Sequence, residues 1–145
     1  MTIKVLRAKD EAVLGTTGPD VFDYALDPRA IREFLIDPRH HLVVAVDDGM
    51  VIGFASAVHY VHPDKPWPEL WINEVGVGST HRGRGVGRAI LQSLLNLGRE
   101  LGCAEAWVLT ERGNNAAMRL YSRSGGIEAP TDQVMFTFRL TSSGS

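Results

Sequence analysis

The stretch Thr80–Leu91, "THRGRGVGRAIL", decides how the rest of the chain is read. It places three arginines and three glycines ahead of an apolar, helix-favouring run. The residues before it, "ELWINEVGV" (69–77), are β-rich and bounded by turn formers, which predicts a strand. Glycine between a strand and a helix costs conformational entropy, so a compensating interaction is expected. A strand that feeds a helix through glycines leaves free backbone N–H groups at the helix N-terminus. Those groups and the helix dipole favour an anion, usually phosphate. Missing Cβ atoms let it approach the backbone, and Arg82, Arg84 and Arg88 would add charge-assisted hydrogen bonds.

Outward from this stretch the chain alternates strands and helices. Toward the N-terminus, "IKVLRA" (3–8) predicts a strand, and residues 10–37 a helical region broken at Gly15, Gly18 and Pro19. Asp27-Pro28 supplies an N-cap with proline at the first helical position, and Asp37-Pro38 stops that helix. "HLVVAV" (41–46) and "MVIGFASAVHYV" (50–61) flank Asp-Asp-Gly and predict a hairpin. "HPDKPWP" (62–68), with three prolines, predicts a loop. Beyond the glycines a helix is expected over 86–101, with Ile90, Leu94, Leu97 and Leu101 on one face and Gly102 ending it. "AEAWVLT" (104–110) predicts a strand, "AAMRLYSRS" (116–124) a short helix, and "QVMFTFRL" (133–140) a last strand. The expectation is an α/β fold with one domain over 1–140 and a disordered tail over 141–145.

Composition narrows the partners. The chain has 145 residues, 44% of them hydrophobic, and a net charge of −2. No global field points to nucleic acid or an anionic membrane, so neither is expected as a partner. The single cysteine, Cys103, excludes an internal disulfide framework and fits a reducing cytoplasm. No signal-peptide pattern or membrane-spanning run is present. His59 and His62 are spaced by three but have no third ligand nearby, so no metal is expected.

Two phosphate motifs can be rejected. Gly78 and Gly83 have P-loop spacing, but Arg84-Gly85 stand where Lys-Ser/Thr is needed. A dinucleotide fingerprint would need glycine at 88 or 90, which are Arg and Ile. What fits is Arg-x-x-Gly-x-Gly: Arg82, Gly85, Gly87. This resembles the pyrophosphate-binding motif of the GCN5-related N-acetyltransferases, the GNAT superfamily, which bind acetyl-coenzyme A. "NNAAMRLYSRSGG" (114–126) resembles the superfamily's N-x-x-A-x-x-L-Y-x-x-x-G segment, with Asn114, Ala117, Leu120, Tyr121 and Gly125 in register; Gly126 replaces an aromatic residue. The element order also matches, so the resemblance covers nearly the whole chain. It implies a mixed, mostly antiparallel central sheet flanked by helices, with acetyl-CoA as co-substrate. The backbone of Val75 and Val77 would pair with pantetheine. The amides of Arg82, Gly83, Arg84, Gly85, Val86, Gly87 and Arg88 would hold the pyrophosphate, with Asn114 and Ala117 also at the cofactor.

Acetyl transfer requires a neutral amine, a stabilised oxyanion and a protonated leaving thiolate. Glu74, a carboxylate in an apolar strand beside Val75, is the candidate base, and partial burial would raise its pKa. The other role open to it is an anchor for a cationic substrate. The resemblance implies that Tyr121 protonates the departing sulfur; a hydrogen bond to that sulfur from a packed helix fits it equally. His81 stands beside the arginines and could touch phosphate. Trp67, Trp71 and Trp107 could wall a substrate, although core packing suits Trp71 and Trp107 better.

For the acceptor, "ELWINEVGV", "HRGRGVGRAIL", "RLYSRSGG" and "QVMFTF" resemble small GNAT-type aminoglycoside 3-N-acetyltransferases. In that pattern Asp132 matches one position of an acidic pair and Gln133 replaces the other. Asp23, Tyr60, Glu74 and Asp132 are the candidate substrate contacts. Three readings stay open: an aminoglycoside acetyltransferase, a GNAT enzyme for another amine, and a non-catalytic CoA-binding regulator. The superfamily's habit of pairing through late strands implies a possible homodimer.

Overall fold

In the computed structural model, which describes residues 1–130 and 132–142, five strands form one sheet in the order β1-β2-β3-β4-β5. The strands are β1 (Thr2–Leu6), β2 (His40–Asp47), β3 (Met50–His62), β4 (Lys65–Val77) and β5 (Glu105–Val108). The first four run antiparallel to their neighbours, and β5 joins β4 in parallel. The β2–β3 turn has Asp48 and Gly49 both at positive φ (51° and 73°), the conformation that Asp-Gly supplies at low cost.

Two layers cover the sheet. On one face lie α2 (Val86–Glu100) and α3 (Asn115–Arg123). There Val86, Ile90, Leu91 and Leu94 of α2 close over Val43, Ala45, Ala55, Ala57, Leu70 and Ile72. On the other lie α1 (Pro28–Ile36) and a 3-10 helix (Ala8–Gly15), packed on Leu42, Val44, Val51 and Phe54. The expected cap of α1 is present: the Asp27 carboxylate accepts from the Arg29 amide at 3.1 Å, and Pro28 follows at N1.

Three expectations are corrected. Residues 10–27 are not an α-helix; the 3-10 turn ends at Gly15 and an irregular segment runs to Asp27. The proline-rich 62–68 loop shrinks to a tight connection in which His62 pairs with Lys65, and Pro66 and Pro68 lie within β4. The carbonyl of Pro68 accepts from the Ala104 amide at 3.2 Å, on the β5 side. The missing N–H of Pro68 therefore faces away from β3 and costs no β3–β4 bond, while Pro66 lies within the irregular register between Lys65 and Glu69. The strand expected over 133–140 does not form; the segment is exposed and pairs with nothing among the described residues. Its alternation can specify a face, but a strand also needs a partner edge. Of the tail expected to be disordered, residues 143–145 lie outside the described residues. Among the described residues no helix is long and apolar enough to cross a membrane.

At the start of β2, His41 lies half-buried, its Nε2 2.7 Å from His59 Nδ1. Burial, reinforced by the neighbouring His59 and His40 charges, pulls the His41 imidazole down to about 4 from its usual 6.5. The unfolded chain therefore takes up this proton first. The stability His41 provides is complete above pH 6.5 and drains as the pH falls toward 4. Urea midpoints should fall across that window, and His41→Leu should flatten the fall.

Candidate active site

The site is built where β4 changes its neighbours. Ser56 pairs with Glu74 but Ala57 pairs with Ile72, so Asn73 is an extra residue in the strand. Before it, Leu70 and Ile72 face α2; after it, Val75 and Val77 do. The inserted residue inverts the alternation and turns Glu74 onto the opposite face, beside Phe54 and Ser56. Without the bulge the carboxylate would sit in the apolar layer under α2.

At the same point β4 loses β5. The parallel ladder runs from Glu69/Glu105 to Ile72/Val108 and stops. On the β3 side, Gly78 donates to the Ile52 carbonyl at 2.8 Å. Alternation then turns the peptide groups of Val77 and Val75 the other way, into the gap that β5 leaves.

The gap leads to the start of α2. Gly85 is its N-cap, at φ 79°, and Gly83 stands at φ 75°; a Cβ at either would be strained, and an N-cap glycine offers no side-chain acceptor. Ala89 donates to the Gly85 carbonyl, so the amides of Val86, Gly87 and Arg88 have no partner within the helix. Arg82, Arg84 and Arg88 are exposed and form no ion pair among the described residues. Arg82 Nε donates to the Val77 carbonyl at 3.1 Å, tying the loop to the strand end. His81 is committed to protein: Nε2 lies 2.8 Å from Asp47 Oδ2, and Nδ1 2.7 Å from Thr80 Oγ1. Its hydrogen bond holds the Asp47 carboxyl below the usual range. The phosphate contact expected of His81 is replaced by an anchor for the loop, as is Ser79, which donates to Asp20 at 3.0 Å.

The second motif meets the first at Gly87. A Cβ there would lie 3.4 Å from Leu120 Cδ2 and 3.5 Å from Val77 Cγ2, so the helix start, the strand end and α3 converge. The Asn114 carbonyl oxygen accepts from the Ala117 amide at 3.1 Å, capping α3. Tyr121 packs against the α2-side core, and burial pushes its phenol up, so it holds its proton firmly. The glycine at 126 has a steric reason: its amide donates to the Tyr121 carbonyl at 2.9 Å, and a Cβ would lie 2.8 Å from that oxygen.

On the other face, Glu74 opens into a cavity of about 510 Å³ between the sheet, α1 and the segment before it. Asp23 also lines it. Glu74 is exposed, not partly buried as expected. Neither carboxylate has a hydrogen bond or ion pair among the described residues. Tyr60 lies outside the lining; its hydroxyl donates to Glu69 at 3.1 Å and accepts from Trp107 Nε1 at 2.7 Å. His62 and Tyr60 hold the Glu69 carboxyl below its usual range. Asp132 stands in the exposed C-terminal segment, apart from the cavity.

The sequence reading missed two features. Trp71 and Trp107 are not core: they stack at 5.0 Å between centroids and remain 38% and 37% exposed. The Asn73 bulge was also missed, although the shift from Leu70 and Ile72 to Val75 and Val77 is a visible change of parity. Cys103 packs against the core and burial pushes its thiol up, which makes it a poor nucleophile.

N-alpha-acetyltransferase RimI of Mycobacterium tuberculosis is 33% identical over 98 residues, 68% of this chain and 59% of the relative. Streptothricin acetyltransferase of Streptomyces lavendulae is 31% identical over 69% of this chain and 50% of its own. The chain thus spans half to three-fifths of the length of these curated relatives. Among solved structures, an aminoglycoside acetyltransferase, HMB0005, from an uncultured soil metagenomic sample superposes with a TM-score of 0.79. It is 22% identical, and the match covers 97% of this chain and 100% of that one. Residues 10–126 match the acetyltransferase (GNAT) family, and the chain belongs to that family.

Proposed function

We propose that this chain moves the acetyl group of acetyl-CoA to a primary amine. The observation that carries the reading is the arrangement at the end of β4. An uncapped helix start leads along a freed strand edge to a carboxylate that opens onto the opposite face. The unpaired amides of Val86, Gly87 and Arg88, with the guanidinium groups of Arg82, Arg84 and Arg88, suit a diphosphate. The peptide groups of Val75 and Val77 suit the amides of pantetheine.

In this reading the ammonium of the acceptor meets Glu74 and gives up a proton, directly or through water. The neutral nitrogen attacks the thioester carbonyl, and an amide of the Val75–Val77 edge donates to the oxyanion. The C–S bond breaks and the Tyr121 phenol gives its proton to the leaving sulfur, while the nitrogen, now bonded to the acetyl carbon, sheds its second proton to solvent, which reprotonates the Tyr121 phenolate. Because Glu74 is exposed, its desolvation comes from the bound acceptor and donor. The "QVMFTF" resemblance points to an aminoglycoside 3-amino group, but that segment and Asp132 stand apart from the cavity, so the choice of acceptor falls to the cavity lining. The wider class includes polyamines, amino acids and peptide N-termini.

We also propose a homodimer. The apolar side chains of Val134, Phe136, Phe138 and Leu140 are exposed, and β5 has no neighbour on its outer edge among the described residues.

Glu74→Gln should lower kcat by about 10²–10⁴-fold while acetyl-CoA affinity holds. A rise in KM alone would leave Glu74 only the anchoring role. Arg82→Ala should weaken acetyl-CoA binding by about 1–3 kcal/mol in calorimetry; unchanged affinity would remove Arg82 from the phosphate site. In light scattering the full chain should run as a dimer and the double substitution Phe136→Asp, Phe138→Asp as a monomer.

A further inference from the structure

We propose that the acceptor is an amine carried on an apolar body, an arylalkyl or branched alkyl group, and not a polycation. This rests on the acetyl-transfer reading and deepens it. The cavity that Glu74 opens into, about 510 Å³, is of the size that holds a small organic molecule. Its walls are Phe22, Leu26, Ile31, Phe34, Leu42 and Phe54, with Phe22 and Phe54 stacked at 4.3 Å between centroids. None of these offers a hydrogen bond to an ammonium or a hydroxyl.

The polar groups in the lining are few. Ser56, Glu74, Asp23, Asp27 and the Tyr24 hydroxyl are its polar side-chain groups. Asp27 is engaged in capping α1. Two carboxylates remain, Glu74 and Asp23. A polycationic sugar entering this space would strip water from several ammonium groups and many hydroxyls, and most would find a hydrocarbon wall. Each unpaired polar group taken from water is costly. An amine with one cationic nitrogen and an apolar body leaves none of its own polar groups unpaired: the nitrogen meets Glu74, the body displaces water from the aromatic and aliphatic walls, and the exposed Asp23 keeps its water.

Ala30, on the exposed side of α1, lines the cavity without belonging to the core. Ala30→Trp would occupy part of the space at little risk to folding. Leu26→Asn, in the loop before α1, makes the opposite wall polar. The assay follows free thiol release from acetyl-CoA with 2-phenylethylamine, ethanolamine, spermidine and neamine. Calorimetry of the same amines is run in the presence of CoA.

The expected result is a kcat/KM for 2-phenylethylamine at least about tenfold above the other three. Both variants should cut that value about tenfold through KM, with acetyl-CoA affinity unchanged. A preference for neamine or spermidine with transfer intact would overturn the apolar-acceptor proposal and leave acetyl transfer standing. Arylalkylamine binding that both variants weaken, with no amine acetylated, would overturn acetyl transfer and leave the cavity assignment standing. Failure of 2-phenylethylamine to bind, or indifference of its binding to both variants, would sink the proposal.

Discussion

One inserted residue in β4 carries the architecture of the site. A strand has a single alternation, so its side chains serve two faces in a fixed order until something breaks that order. Asn73 breaks it, and the strand serves different needs on its two sides of that point. Before the bulge, β4 is an interior strand with β3 and β5 as neighbours and hydrophobic residues toward α2. After it, the strand keeps the same apolar face but gains a carboxylate on the other and loses β5. A bulge sharpens local twist, and a sharper twist is one way two strands part company. The gap and the position of Glu74 thus have a common origin.

The glycine stretch answers to the same geometry. A helix that begins beside a parted strand keeps its first-turn amides open only without a long polar cap, because a side chain at the cap would fill the space in front of them. Gly85 leaves that space open at the cost of a missing acceptor for the first-turn amides. The protein offsets the looseness by anchoring the loop from outside: His81 to Asp47, Ser79 to Asp20, Arg82 to the Val77 carbonyl. None of these anchors takes a first-turn amide, so the stretch is held in place while its donors stay free.

Much of this was legible in the sequence. The glycine motif, the α1 cap, the β2–β3 turn and the start of α2 are local, set by residues that specify their own backbone. The "QVMFTFRL" segment failed because pairing is not local: nothing in its own residues says which edge it will meet. Pro66 and Pro68 misled for a related reason. A proline forbids a strand only where its missing amide faces a neighbour, and that depends on which side β3 lies. His81 was read by proximity to arginines, whereas its partner, Asp47, is distant in sequence. Glu74 was singled out as a candidate, but its exposure was not foreseen, because the wall opposite it comes from α1 and the segment before it.

The two sides of the sheet are packed to different standards, and this bears on what each can do. α2 buries Val86, Ile90, Leu91, Leu94 and Gly98, whereas α1 buries none of its residues. A well-filled layer has low compressibility and holds its attached loops in one place. The helix start and the freed strand edge both belong to that layer. The α1 layer, by contrast, leaves a cavity, and its side chains can change in size with little loss of core contact. A diphosphate and pantetheine arm are the same for every acceptor, so the rigid side suits them. The acceptor is what differs between such enzymes, and the loosely packed side is where a change of acceptor disturbs stability least. Glu74, turned outward by the bulge from the rigid layer into the open one, is the side chain that belongs to both.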